Sequence, residues 1–126
     1  MQRVLISSDE VPANTLPFSP ALRVGDWVFV SGQGGFDTDG KLVGDTIEAQ
    51  TEATIHNIER LLRVAGCELS DVVTVLVHLS DLTLFDRYNA VYERFFPDPK
   101  PTRTTVEAKI FPGLLVEITV TAVRPG

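Results

Sequence analysis

Arg103-Thr104-Thr105-Val106-Glu107-Ala108-Lys109-Ile110 and Val116-Glu117-Ile118-Thr119-Val120-Thr121-Ala122 both alternate polar and apolar residues. A β-strand sends successive side chains to opposite faces, so each stretch reads as a strand with one greasy and one polar side. Val106, Ala108 and Ile110 mark the greasy side of the first, and Val116, Ile118, Val120 and Ala122 that of the second. Joined as a hairpin across Pro112-Gly113, the two keep apolar opposite apolar only if the loop is odd, because a one-residue slip inverts every side chain. This reading predicts adjacent strands whose shared polar face carries Arg103, Thr105, Glu117 and Thr119.

Working back toward the N-terminus, Val72 to Leu79 is a nearly unbroken β-branched and aliphatic run, the composition of a strand covered on both faces. From Asp45 the period lengthens: Ile47, Thr51, Ile55, Ile58, Leu62 and Ala65 recur every three or four residues, opposite Glu48, Glu52, Glu59 and Arg63. That is an amphipathic helix, with Asp45 and Glu48 at capping-box spacing and Gly66 suited to the residue just past its end. A second helix is expected from about Thr83, with Asp86 at the capping-box distance, presenting Leu84, Tyr88, Val91 and Phe95 and stopped by Pro97, Pro99 and Pro101. Near the start, Leu22 and Val24 mirror Phe29 and Trp27 about Gly25-Asp26, which predicts strands over 18–24 and 27–32 joined by a two-residue turn. Two helices cover one face of such a sheet. With Val72 and Leu76 toward the helices, Val73, Val75 and Val77 point the other way and call for a second copy as cover.

The chain has 126 residues, enough for one domain to bury its core without a staple, and its one cysteine, Cys67, can form no internal disulfide. A net charge of -6 argues against nucleic acid, whose binding relies on Lys and Arg neutralising phosphates. No apolar run approaches the ~20 residues of a membrane span, and the first residues are too soon interrupted by Asp9 and Glu10 to read as a secretory signal, so a cytoplasmic protein without membrane contact is expected. His56 and His78 have no companions at ligand spacing, and neither a metal nor an organic cofactor is expected.

Ser31-Gly32-Gln33 after an apolar strand, Asp81-Leu82 leading to Phe85, Asn89, Tyr92 and Phe95-Phe96, then Pro101-Thr102-Arg103 and Val116-Glu117-Ile118, together resemble the RidA/YjgF family, also called the endoribonuclease L-PSP family. The resemblance spans nearly the whole chain as one domain, residues 1–126. It implies an α+β, chorismate-mutase-like fold: a mixed six-stranded sheet with two helices on one face, assembled as a homotrimer with clefts between subunits. It also implies a hydrolase that converts reactive 2-imino and enamino acids, such as 2-iminobutyrate and 2-aminoacrylate, to 2-keto acids and ammonia. Other members act on 2-aminomuconate or carry labels as ribonucleases, and a non-catalytic trimer binding keto or amino acids is the reading from a different class.

Arg103 matches the family's arginine, and a planar guanidinium fork suits a carboxylate beside a C=N bond. Its bland alternative is a surface cation on an edge strand. Glu117 matches the family's glutamate and would orient or deprotonate the attacking water, or else pair with Lys109 across the hairpin. Gly32 would let backbone approach the ligand, and Asn89 matches a cleft position on the second helix; each also has an ordinary structural reading. Ser31 reads as a turn residue and Cys67 as packing. This chain departs from the family in having Phe18 where many relatives have tyrosine and Thr105 where many have cysteine, and its stretch from Arg103 to Glu117 is about one residue shorter than usual. Phe18 makes the pocket wall more apolar, whereas Thr105 keeps a hydroxyl for the substrate.

Overall fold

The computed structural model describes residues 1–126. Its strands are β1 (Arg3–Ile6), β2 (Ala21–Val24), β3 (Trp27–Gln33), β4 (Val72–Leu79), β5 (Thr102–Glu107) and β6 (Val116–Val123). They form a single six-stranded sheet in the order β1-β2-β3-β6-β4-β5. Helices α1 (Ile47–Val64) and α2 (Phe85–Tyr92) cover one face. The α+β class, the mixed sheet and the two helices are as expected. The first strand is not legible in the pattern; Arg3–Ile6 holds its place by pairing with β2, Ile6 opposite Ala21.

Val24 pairs with Trp27 and Leu22 with Phe29, so Gly25-Asp26 is the expected two-residue turn, with Gly25 at φ +61°. α1 starts one residue later than the capping-box spacing implies: Thr46 is the cap, its Oγ1 accepting the Ala49 N–H at 3.2 Å. Asp81 caps a short 3₁₀ turn, Leu82–Leu84, that leads into α2. α2 ends at Tyr92, well before the prolines. Arg87 on α2 and Glu48 on α1 form a two-pronged ion pair at 2.7 and 2.8 Å, which holds the Glu48 carboxyl down at about 2.

The C-terminal strands depart from the hairpin expected across Pro112-Gly113. β5 runs parallel to β4 at the sheet edge, whereas β6 lies antiparallel on β4's other side, so β4 separates them. The chain therefore passes over the end of β4, where Ala108 N–H donates to Leu79 O and Ser80 N–H donates to Leu115 O. Pro112-Gly113 form a tight turn, closed from Leu114 N–H to Phe111 O with Gly113 at φ +82°, within that crossing. β6 alternates throughout, but β5 ends at Glu107, which leaves Ala108 and Ile110 in the crossing, and alternation does not name a strand's neighbour.

The facing of β4 also differs from the one expected. Val75, Val77 and Leu79 point into the helix-covered core, together with Val28, Val30, Val116, Ile118, Val120 and Ala122. An irregularity between Val72 and Thr74 puts Val72 in the core too, while Val73 and Leu76 are exposed. The uncovered face carries Trp27 and Phe29, whose stacked rings lie 6.5 Å apart, with Leu5, Leu76 and Val106. An apolar face without cover is present as anticipated, but Val75 and Val77 do not belong to it.

Candidate active site

Register decides where the candidate residues fall. Arg103 stands opposite Val75 and Thr105 opposite Val77, which places both on the helix-covered side of the edge strand. Glu117 stands opposite His78 on the uncovered side. The expectation that Arg103, Thr105, Glu117 and Thr119 share a face fails: Glu117 and Thr119 share one, Arg103 and Thr105 the other.

On the helix side, Arg103 lies over three aromatic rings of α2, 5.6 Å from the Phe85 centroid, 5.5 Å from Tyr88 and 4.7 Å from Tyr92. Phe85, Tyr88 and Tyr92 follow helical spacing, so their rings form one stripe, and the flat guanidinium is held by attraction to the ring faces. None of the chain's ion pairs includes Arg103. Its charge lines a shallow recess with Asn89, Tyr92, Glu93, Lys100 and Pro101. Asn89 Oδ1, Thr105 Oγ1 and both phenol oxygens are buried without hydrogen-bond partners, a concentration of polar capacity that a folded chain rarely leaves unused. Burial pushes the Tyr92 phenol up to about 12 and the Tyr88 phenol higher still, with the Arg103 charge opposing the shift in both.

On the other side, Glu117 lines a cavity of about 520 Å³ with Gly32, Phe18, Leu16, Phe36, Phe111 and Leu114 among its walls. Gly32 has a specific purpose there: a Cβ on it would lie 2.7 Å from Glu117 Cδ and 2.8 Å from Oε1, so only glycine leaves room for the carboxylate in this position. Phe18 precedes β2 in a bend rather than on a strand, and its half-exposed ring forms part of the wall. Ser31 lies within β3 rather than in a turn; its Oγ donates to Ser19 O at 2.7 Å, and the residue is part of the cavity wall. Lys109 is not the partner of Glu117; His78 is, with Nδ1 3.7 Å from Oε1. Cys67 is buried packing, as expected, and burial raises its thiol.

The cavity walls depend on residues that the helical pattern does not single out. Gln50 is fully buried on α1, and its side chain donates to Gly44 O and Gly113 O, both at 2.9 Å, and accepts from Leu115 N–H at 2.8 Å. Asn57 donates to Gly34 O at 3.2 Å and Phe36 O at 2.9 Å. Two polar side chains on the greasy stripe of α1 thus tie down the loops that carry Gly34, Phe36 and Leu114. The available signal was a pair of amides seven positions apart on an otherwise apolar helix face.

Residues 8–124 match the family described as Endoribonuclease L-PSP. The chain belongs to this family. The endoribonuclease L-PSP relatives include a RutC family protein of Pyrococcus abyssi, 37% identical over 98% of this chain and 99% of its own. They also include the 2-iminobutanoate/2-iminopropanoate deaminase of Mus musculus, 32% identical over 97% and 92%. The crystal structure of a Thermotoga maritima protein described as a putative endoribonuclease superposes with a TM-score of 0.93 at 37% identity, each chain covered completely. The endoribonuclease L-PSP family thus includes imine deaminases, although many of its members carry only the RutC family name.

Proposed function

We propose that this protein is a hydrolase that converts 2-imino acids, or the enamines that tautomerise to them, into 2-keto acids and ammonia. Arg103 anchors the substrate carboxylate by a two-pronged, charge-assisted contact. Asn89 and Thr105 supply further polar contacts beside it. Glu117 orients the attacking water and takes its proton, and Gly32 keeps the carboxylate free at the cavity wall. Phe18 and its apolar neighbours receive the substrate side chain. Holding a short-lived imine against a positioned water is worth several kcal/mol in orientation alone.

The observation that carries this reading is the placement of Arg103 and Glu117 on opposite faces of one chain's sheet. A ligand held by both is held between two copies, and the uncovered apolar face with Trp27, Phe29 and Leu76 supplies a surface for such an assembly. A homotrimer with one cleft per pair of neighbours satisfies both features. The walls of the Glu117 cavity contain no lysine or arginine, which favours an aliphatic side chain at that end, while Lys100 beside Arg103 leaves a second carboxylate a partner at the other. The net charge of -6 weighs against RNA as a substrate.

The test is complementation. Imines would be generated in place by an amino-acid oxidase or a threonine dehydratase, and ammonia release followed. Arg103→Ala and Glu117→Gln should each be inactive. Co-refolded in equal amounts, they should regain about one quarter of the wild-type rate, since random mixing restores that share of clefts. A mixture as inactive as its components, beside an active wild type, would place the whole site in one copy. A wild type that binds keto acids but accelerates no imine would make the protein a binder.

A further inference from the structure

His78 faces Glu117 across the β4–β6 pairing, with Nδ1 3.7 Å from the carboxylate oxygen Oε1. The two side chains are equally half-buried, each 28% exposed. Nδ1 itself is buried and has no hydrogen-bond partner. On its other flank β5 offers Val106, which is apolar, and no helix covers this face. Glu107 of β5 lies on the opposite side, where its carboxylate accepts from Leu82 N–H. Glu117 is therefore the charged group that Nδ1 meets within this chain. His78 is absent from the cavity walls, while Glu117 is among them with its carboxylate against Gly32. The imidazole thus stands behind the carboxylate as seen from the cavity. A buried ring nitrogen left unbonded is costly, and site hydrogen bonds that are long in an empty site often tighten when the ligand arrives.

We propose that His78 is the positioning and proton-relay partner of Glu117. The inference rests on the hydrolytic reading above and adds to it the residue through which the carboxylate is reset. Hydrolysis of an imine moves both protons of one water onto nitrogen. As the water oxygen bonds to the C=N carbon, one water proton passes to Glu117, the π pair moves to nitrogen, and Glu117 returns that proton to the nitrogen. When the carbinolamine collapses, its hydroxyl proton passes to Glu117, the carbonyl forms, and nitrogen leaves as ammonia with the C–N electron pair and that proton. A carboxylate acting alone must receive and return each proton in turn. Nδ1 accepts a proton when the imidazole is neutral and donates it when the ring is charged, so the pair can hold one proton while the carboxylate exchanges the other.

Two measurements test this. With imines generated in place, His78→Phe and His78→Gln should lower kcat at least about tenfold while KM stays within about twofold, the signature of a lost proton transfer rather than lost binding. Wild-type kcat in both variants would overturn the relay. Independently of turnover, the ¹⁵N resonance of His78 Nδ1 should shift by several ppm between wild type and Glu117→Gln, because the nitrogen loses its charged partner. An unchanged resonance would overturn the pairing. If the wild type released no ammonia, the hydrolytic reading would fail, and the relay with it. The resonance would still decide whether His78 and Glu117 interact.

Discussion

The two faces of the sheet are made from the same strands, yet one is finished within the chain and the other is not. On the helix face, Val28, Val77, Leu79, Val116 and Ile118 are sealed at 0% exposure. On the other face, their immediate neighbours Trp27 and Phe29 remain about half exposed and Leu76 stands open beside them. The difference shows that alternation along a strand sorts side chains into two groups without saying which group the chain itself will cover. It also divides the chemistry, because the guanidinium sits on the finished face, backed by aromatic rings, and the carboxylate on the unfinished one, beside an open cavity.

The sharpest way to break this contrast is to put a charge on each face. Val77→Asp buries a carboxylate without a partner, and the loss should exceed about 3–5 kcal/mol, enough to prevent folding. Leu76→Asp, one residue away, should leave the circular dichroism of a folded chain while reducing the mass in solution to that of the monomer. If the wild type proves oligomeric, as proposed, a Leu76→Asp chain of the same mass would show that this face is not the interface. Equal unfolding of both variants would erase the distinction between the faces.

Two glycines offer a smaller and more selective test. A Cβ at Gly35 would meet the Gln50 backbone, 2.8 Å from Cα and 2.9 Å from O, and backbone in a helix cannot step aside. At Gly32 the obstacle is the end of the flexible Glu117 side chain, which can swing away. Denaturant unfolding should therefore show Gly35→Ala destabilised by roughly 1–3 kcal/mol, as for other overpacked sites. Gly32→Ala should stay within about 0.5 kcal/mol of the wild type yet lose most of the proposed ammonia-releasing activity. The opposite ranking would mean that Gly32 is needed for folding and not for the placement of Glu117.

The gentlest probe is alkaline pH. The chain's two tyrosines both lie under Arg103, so phenolate absorbance reports on that seat alone. Burial raises both phenols, Tyr92 from 10.0 to about 12, so the folded state keeps protons that the unfolded chain has begun to lose. Their contribution to stability is complete below pH 10 and declines as pH rises toward 12 and beyond. Phenolate absorbance should accordingly lag behind that of free tyrosine and appear together with unfolding. Normal titration of both rings in a still-folded chain would contradict the burial of the Arg103 seat.

Much of this protein was determined by its sequence. Periodicity located both helices, the two-residue turn at Gly25-Asp26 and five of the six strands, because hydrophobic spacing is a local consequence of how a helix or strand projects its side chains. The motifs around Gly32, Asn89, Arg103 and Glu117 pointed to the family. Strand neighbours were decided only in the tertiary structure, since pairing is a contact between residues distant in sequence, and β4 could slip between β5 and β6 without altering either strand's alternation. That insertion put Arg103 and Glu117 on opposite sides and brought His78 to Glu117, while the irregularity between Val72 and Thr74 set Val75 and Val77 on the same side as Val72. The buried amides Gln50 and Asn57 belong to the same class of fact. Their place on an apolar helix face makes sense only once the loops whose carbonyls they bind have folded over them, because a buried polar group is tolerated where it finds partners and nowhere else.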